Sequence, residues 1–107
     1  MKIAYISEMW RGWFIGNFEP SVLQTNNFEV AILTHKKDEK WAKHYHAIAT
    51  EYNVLISGTM TIQNELIQPG TIFILYPHEI ADPIFHEDCV IVCVKTPSVP
   101  GDKYEVF

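Results

Sequence analysis

Short apolar runs separated by turn residues constrain the fold of this chain more than any other feature. Gly, Pro and Asn lie between the runs, and no long stretch has the spacing of an amphipathic helix. This pattern predicts one all-β domain, a sandwich or barrel, over residues 1–107. The main predicted strands are Phe28–Thr34, Trp41–His46, Glu51–Ser57, Thr71–Tyr76 (expected to be buried) and Cys89–Lys95, with a hairpin of Thr59–Ile62 and Glu65–Ile67 around Gln63-Asn64.

Two histidines and a carboxylate form the clearest candidate site. His44 and His46 are one residue apart, and Glu51 follows His46 by five residues. Residues i and i+2 of a strand point to the same face, roughly 7 Å apart at the backbone. A carboxylate on the next strand can join them, and two nitrogens with one oxygen suit a divalent metal ion. Gly58 follows seven residues later and is expected at a corner with positive φ.

These residues resemble the first motif of the cupin family, Gly-x5-His-x-His-x(3 or 4)-Glu-x6-Gly. His44, His46, Glu51 and Gly58 keep every internal spacing, whereas Asp38 replaces the leading glycine. The resemblance implies a cupin-type jelly-roll β-barrel. It also implies a divalent metal ion (iron, manganese, zinc or nickel) held inside the barrel by His44, His46 and Glu51, which would then be the catalytic residues.

The second cupin motif is degraded. Counted from Gly70, the position of its metal-binding histidine falls on Ala81. Three protein ligands and a water suffice for a catalytic metal. Asp82, one residue further, is the first candidate for the missing ligand because a bulge can turn it inward. His78 and His86 are the other candidates.

Three functions agree with these residues. The first is a metal-binding cupin that acts on, or binds, a small polar molecule such as a carboxylate, keto compound or sugar. The second is a metal-free keto-sugar isomerase or epimerase, as some cupins are, with His44 or His46 as the base and Tyr52 or Tyr76 as the acid. The third is a non-enzymatic ligand-binding cupin.

Charge and composition exclude other classes. The formal net charge is −5, and phosphate binding needs clustered Lys and Arg, so we expect no nucleic-acid partner. No apolar stretch approaches membrane-spanning length, so we expect no membrane association. The small size favours a homodimer, because a second copy would bury further apolar surface.

Two further expectations concern location and accessory structure. Cys89 and Cys93 lie four residues apart on one predicted strand, roughly 13 Å apart, which is too far for a disulfide. Two reduced thiols and the absence of a signal-peptide pattern in Met1–Phe18 favour a cytoplasmic protein. The N-terminal segment 1–27, rich in Gly and aromatic residues, is expected to form a lid or a dimer interface.

Overall fold

The computed structural model describes residues 1–107 and consists almost entirely of β-strands. A single turn of 3₁₀ helix, Ile6–Glu8, precedes the first strand, and no helix is long and apolar enough to cross a membrane. In chain order the strands are β1 (Trp13–Gly16), β2 (Leu23–Gln24), β3 (Glu29–His35), β4 (His44–Tyr45), β5 (Thr50–Ser57), β6 (Met60–Ile62), β7 (Glu65–Ile67), β8 (Ile72–Leu75), β9 (Ile84–Phe85), β10 (Cys89–Thr96) and β11 (Tyr104–Glu105).

The strands form three sheets around one core. The large sheet has the order β2-β1-β3-β10-β5-β8, the second has the order β7-β6-β9, and β4 pairs with β11. The core joins residues of β5, β8 and β10 in the large sheet to residues of β6, β7 and β9 in the second sheet. Its fully buried members include Leu55, Met60 and Phe85. The all-β class and the jelly-roll architecture predicted from the sequence are therefore confirmed.

Alternation along the central strands decides which side chains face the barrel interior. In β5, Asn53 and Leu55 are buried whereas Tyr52 is exposed. Cross-strand register then extends this inner face into rows over β3, β10, β5 and β8. One row is Ala31, Cys93, Asn53 and Phe73, and the next is Glu29, Lys95, Glu51 and Leu75. The second row brings three charged residues into the interior.

Two predicted strands differ in the structure. Only His44–Tyr45 of the predicted strand Trp41–His46 joins a ladder, because its partner β11 is two residues long. The strand predicted as buried, Thr71–Tyr76, is β8, and Ile72 is 70% exposed there. The reason is that alternate side chains of a strand point to opposite faces of the sheet, and Ile72 and Ile74 point to the outer face whereas Leu75 packs in the core.

The predicted corner at Gly58 is confirmed. Gly58 has a φ of +85°, and a Cβ atom there would lie 2.2 Å from the carbonyl oxygen of Asp88. Only glycine fits both conditions. The corner thereby fixes where β5 ends and where the chain crosses to the second sheet.

Cys89 and Cys93 are both buried and unpaired, as predicted. Burial raises the pKa of both thiols, and that of Cys93 lies well above its usual range. Both thiols are therefore protonated and serve as small apolar side chains in the interior.

Candidate functional site in the barrel interior

His46 is fixed in the interior by its two ring nitrogens. Its Nδ1 donates a hydrogen bond to the carbonyl oxygen of Asp102, and its Nε2 lies 3.3 Å from Oε2 of Glu51. A carbonyl can only accept, so a neutral His46 must carry its proton on Nδ1 and present the lone pair of Nε2. That lone pair then faces a carboxylate oxygen, and two electron-rich atoms repel each other. A proton or a metal ion between them would make the contact favourable.

Asp102 holds the turn on which His46 lies. Its buried carboxylate accepts the backbone N–H groups of Ala47 (2.9 Å), Ile48 (3.1 Å) and Ala49 (2.9 Å). Burial alone would raise the pKa of Asp102, but these three N–H groups outweigh it and the pKa is lowered. The carboxylate therefore stays ionised. Asp102 alone connects the C-terminal segment both to His46 and to the turn that follows it.

His44 lies beside His46 on β4. Its backbone pairs with Ala81, and its Nδ1 donates to the carbonyl oxygen of Ala42 at 3.2 Å, which leaves Nε2 free. The ring centroids of His44 and His46 are 5.4 Å apart, with the rings nearly perpendicular. Burial lowers the pKa of His44, so the ring is neutral at neutral pH.

Glu51 comes from the inner row of β5 and is also largely buried. Burial works against its ionisation, but the contact with His46 and the positive charge of Lys95 outweigh burial and lower the pKa of the carboxyl. Lys95 itself forms an ion pair of 2.8 Å with Glu29, whose other oxygen accepts from Ser98. The interior therefore holds an ionised carboxylate next to two imidazoles, with a lysine in the adjoining position.

The structure does not bring Asp82 to this group. Its carboxylate accepts the backbone N–H of Gln63 at 2.7 Å and does not line the cavity. Ala81 is the residue that faces inward at this point, and it is part of the core. The expectation that Asp82 turns inward as a fourth ligand is thus not met, because its carboxylate is engaged in capping a turn.

The other candidates also lie elsewhere. His78 is in a left-handed turn with φ of 72°, and His86 contacts the hydroxyl of Thr61 on the surface. Tyr52 and Tyr76 are exposed and outside the cavity, so neither reaches the histidines as a proton donor. No group of three or more His, Cys, Asp or Glu side chains is gathered in a geometry that holds a metal ion.

A cavity of about 1050 Å³ opens above these residues. This volume accommodates a small organic molecule. Several residues of its wall were not predicted: Glu29 and His35 on β3 and Asp102 and Lys103 near the C-terminus, which lie outside the motif, and Glu39, which lies within it. The sequence did contain one indication of this wall. Strands β3 and β10 each carry a charged residue, Glu29 and Lys95, at a position that faces the interior.

His35, the last residue of β3, also lines the cavity. Its Nδ1 lies 2.6 Å from Oε2 of Glu39, the same oxygen that accepts from Trp41 Nε1 at 2.5 Å. Its ring stacks on Phe85 with centroids 4.3 Å apart. Phe85 is a core residue, so His35 also completes the packing at this end of the barrel.

Comparison with known proteins supports the fold. No protein-family model matches the chain, and no curated protein matches its sequence. An uncharacterised conserved protein with a double-stranded β-helix domain from Klebsiella pneumoniae superposes with a TM-score of 0.70 at 20% identity, covering 98% of this chain and 91% of that one.

Two enzymes are also among the similar structures. A sugar phosphate isomerase from a cupin superfamily, from Silicibacter pomeroyi, has a TM-score of 0.60 at 14% identity and covers 75% of this chain and 57% of that one. The DMSP lyase DddQ from Ruegeria pomeroyi has a TM-score of 0.67 at 10% identity and covers 88% of this chain and 49% of that one. This chain thus spans about half the length of these two enzymes.

The fold of this chain is therefore the double-stranded β-helix, or jelly roll, that these cupin-like structures share. This agrees with the resemblance carried by His44, His46, Glu51 and Gly58. At these identities the likeness establishes the fold, and the activity has to be argued from the site.

Proposed function

We propose that this cupin binds a small polar molecule inside its barrel, at a divalent metal ion held by His44, His46 and Glu51. One observation carries the proposal. Both imidazoles donate Nδ1–H to a backbone carbonyl, which leaves the lone pair on each Nε2, and the Nε2 of His46 lies 3.3 Å from the ionised carboxylate of Glu51. Histidines that bind metals are usually oriented in this way, by a hydrogen bond from the other ring nitrogen.

The protonation states also fit a metal ion. Ligation requires a neutral imidazole and an ionised carboxylate, and the lowered pKa values of His44 and Glu51 favour these forms. The three side chains are not gathered around a common point, so they would have to close around the ion. A metal bound there would act as a Lewis acid on a carbonyl or carboxylate oxygen of the ligand.

The remaining residues of the interior have roles that need no metal. Leu75 and Phe73 line the cavity and exclude water from one side of the site. Lys95 and Glu51 lie in the same inner row, so a ligand next to His46 meets a cation as well as a carboxylate. Without a metal ion, His46 Nε2 would be the atom best placed to take a proton from a bound molecule, because Nδ1 is already engaged with Asp102.

Zinc titration tests the proposal directly. The protein, first treated with chelator, is titrated with Zn²⁺ in a calorimeter next to the double variant His44→Ala/His46→Ala. We expect about one zinc per chain for the native protein and none for the double variant. His86→Ala, which removes an exposed histidine outside the cavity, should bind like the native protein. Equal binding by the native protein and the double variant would show that these histidines are not ligands.

A second candidate is a metal-free binding protein with the same cavity. It is favoured by the direct contact of 3.3 Å between His46 and Glu51, which a proton on Nε2 explains equally well. The keto-sugar isomerase chemistry expected for metal-free cupins loses support, because Tyr52 and Tyr76 lie outside the cavity. Ligand binding that persists unchanged after chelation, together with an absence of zinc binding, would favour this second candidate.

A further inference from the structure

All three tryptophans of the chain line the cavity, and each has a cation over its ring. Cations are attracted to the face of an aromatic ring, and the ring in turn restricts where the cation lies. The pairs are Arg11 over Trp10 (4.9 Å to the ring centroid), Lys95 over Trp13 (4.7 Å) and Lys103 over Trp41 (4.5 Å).

Only one of these cations has an acidic partner. Lys95 is paired with Glu29 at 2.8 Å, whereas neither Arg11 nor Lys103 forms a salt bridge. All three cations line the same cavity. Burial lowers the pKa of Lys103, the charges of Lys95 and Arg11 lower it further, and those of Glu105 and Glu51 raise it. In a chain of net charge −5, unpaired cations around one opening repel each other unless an anion joins them.

Local structure holds the two unpaired cations in place. Arg11 lies in a tight turn in which the N–H of Trp13 donates to the carbonyl of Trp10, and Arg11 itself has a φ of 50°. Lys103 directly follows Asp102, which is fixed by three backbone N–H groups. Both cations are thus presented by anchored backbone. We call Arg11 and Lys103, with the rings of Trp10 and Trp41 beneath them, the cationic rim.

An independent observation in the same cavity also calls for an oxygen ligand. Asn53 is 3% exposed and lines the cavity, and its Nδ2 has no hydrogen-bond partner. The amide lies close enough to Glu51 to help lower the pKa of that carboxyl, but not in the geometry of a hydrogen bond. A buried N–H donor without a partner is costly, so an acceptor supplied by a ligand would remove that penalty.

We infer that the cavity recognises a polyhydroxy carboxylate, with its carboxylate at the cationic rim and a hydroxyl oxygen at Asn53. The inference rests on the proposed binding function and specifies the ligand class. The carboxylate goes to the rim because Lys95, the cation deeper in the cavity, already has Glu29 as its partner. The hydroxyl oxygens go inward because Asn53 offers an uncharged donor there.

Binding is tested by ¹H–¹⁵N NMR titration with gluconate, followed on the three Trp indole N–H signals and the side-chain amide of Asn53. Sorbitol is the matched neutral probe, since it keeps the hydroxyl groups and lacks the carboxylate. Inorganic phosphate is the probe for an anion site of another class. We expect saturable shifts with gluconate at millimolar concentrations and none with sorbitol or phosphate.

Two double variants locate the site. Arg11→Gln/Lys103→Gln should weaken gluconate binding by roughly tenfold. Lys36→Gln/Lys37→Gln removes the same charge from residues outside the cavity and should leave binding unchanged. Unsaturable shifts with gluconate, equal shifts with sorbitol, binding of phosphate alone, or equal weakening by both variants would each overturn the inference.

The titration also separates this inference from the proposed metal site. Gluconate binding without zinc binding would support the cationic rim and contradict the metal site. Zinc binding without gluconate binding would contradict the cationic rim and support the metal site. Repeating the titration on the native protein after treatment with chelator, which removes any bound metal ion and keeps the rim, should still give shifts at the Trp41 and Trp10 indoles. Loss of those shifts would overturn the rim as a separate anchor.

Discussion

Asp102 has the widest structural effect of any single residue near the site. Its carbonyl oxygen accepts from His46, and its carboxylate accepts three consecutive N–H groups of the turn after β4. Hydrogen bonds to an ionised acceptor are stronger than neutral ones. The residue therefore sets the tautomer of His46 and at the same time fixes the C-terminal segment that carries Lys103.

We expect stability to depend on pH through Asp102. Its pKa is lowered in the folded protein, so its contribution is complete above the unfolded value of about 3.9 and is lost as the pH falls through the folded value. Asp102→Asn should lower the free energy of unfolding by roughly 2 kcal/mol at pH 7. Urea unfolding from pH 7 to pH 3 measures both effects.

The variant should also lose less stability than the native protein as the pH falls below 4. The free energy of unfolding of the variant should still fall somewhat with pH, because the pKa of Glu51 is also lowered in the folded protein and Glu51 is unchanged in the variant. Parallel pH curves for the native protein and Asp102→Asn would mean that the carboxylate contributes nothing as an ion.

At this scale the sequence predicted the part of the site that is local in the chain. His44, His46 and Glu51 lie within eight residues, and the structure places the two imidazole rings 5.4 Å apart and His46 against Glu51. Asp102 lies 56 residues from His46, so no local pattern links them. The environment of Asp82 was equally hidden, since the N–H that it accepts belongs to a turn 19 residues earlier.

Among the elements, the long strands and the β6–β7 hairpin were predicted close to their observed bounds, whereas the strand that carries His44 was predicted to have six residues and has two. β3, β5 and β10 are seven or eight residues long and alternate in burial over at least four of them, which leaves a clear pattern in the sequence. β4 and β11 are two residues each, and β4 is held by its pairing with β11 and by the bridge between His44 and Ala81. Tertiary pairing rather than residue preference therefore determines the strand that carries His44.

The corner after β5 gives a prediction about Gly58, for which Gly70 is the control. Gly58→Ala adds a Cβ atom that meets the carbonyl of Asp88 at 2.2 Å, in addition to the cost of a positive φ. Gly70 has a similar φ of +88° and nothing within 4 Å of the added atom. We expect Gly58→Ala to be less stable than Gly70→Ala by roughly 2 kcal/mol, measured by urea unfolding. Equal losses would show that the turn shifts freely at Gly58.

At the scale of the whole molecule, the outer face of the large sheet exposes large apolar side chains to solvent. Tyr52 (42% exposed), Ile72 (70%) and Ile74 (37%) lie together there, since Tyr52 is the register partner of Ile74 and Val54 that of Ile72. An apolar patch at the edge of a sheet is typical of a surface that another chain covers. We propose that a second copy of this chain covers it, in line with the expected homodimer.

The dimer is tested by sedimentation. Ile72→Lys/Ile74→Lys should sediment as a monomer at concentrations at which the native protein is a dimer, because four buried lysines in a two-fold interface repel each other. Leu66→Lys, which changes an equally exposed residue of β7 in the other sheet, should remain a dimer. A native protein that sediments as a monomer would contradict the proposal.

The central claim concerns the metal, and the metal content of the whole protein tests it most directly. The protein is purified without chelator or metal-affinity tag, and each divalent metal is counted per chain by elemental analysis, next to His44→Ala/His46→Ala. We predict about one divalent ion per chain in the native protein and none in the variant. A native protein without metal both as purified and after incubation with iron, manganese, zinc and nickel would contradict the claim, and would leave His46 and Glu51 as a proton-sharing pair in a ligand pocket.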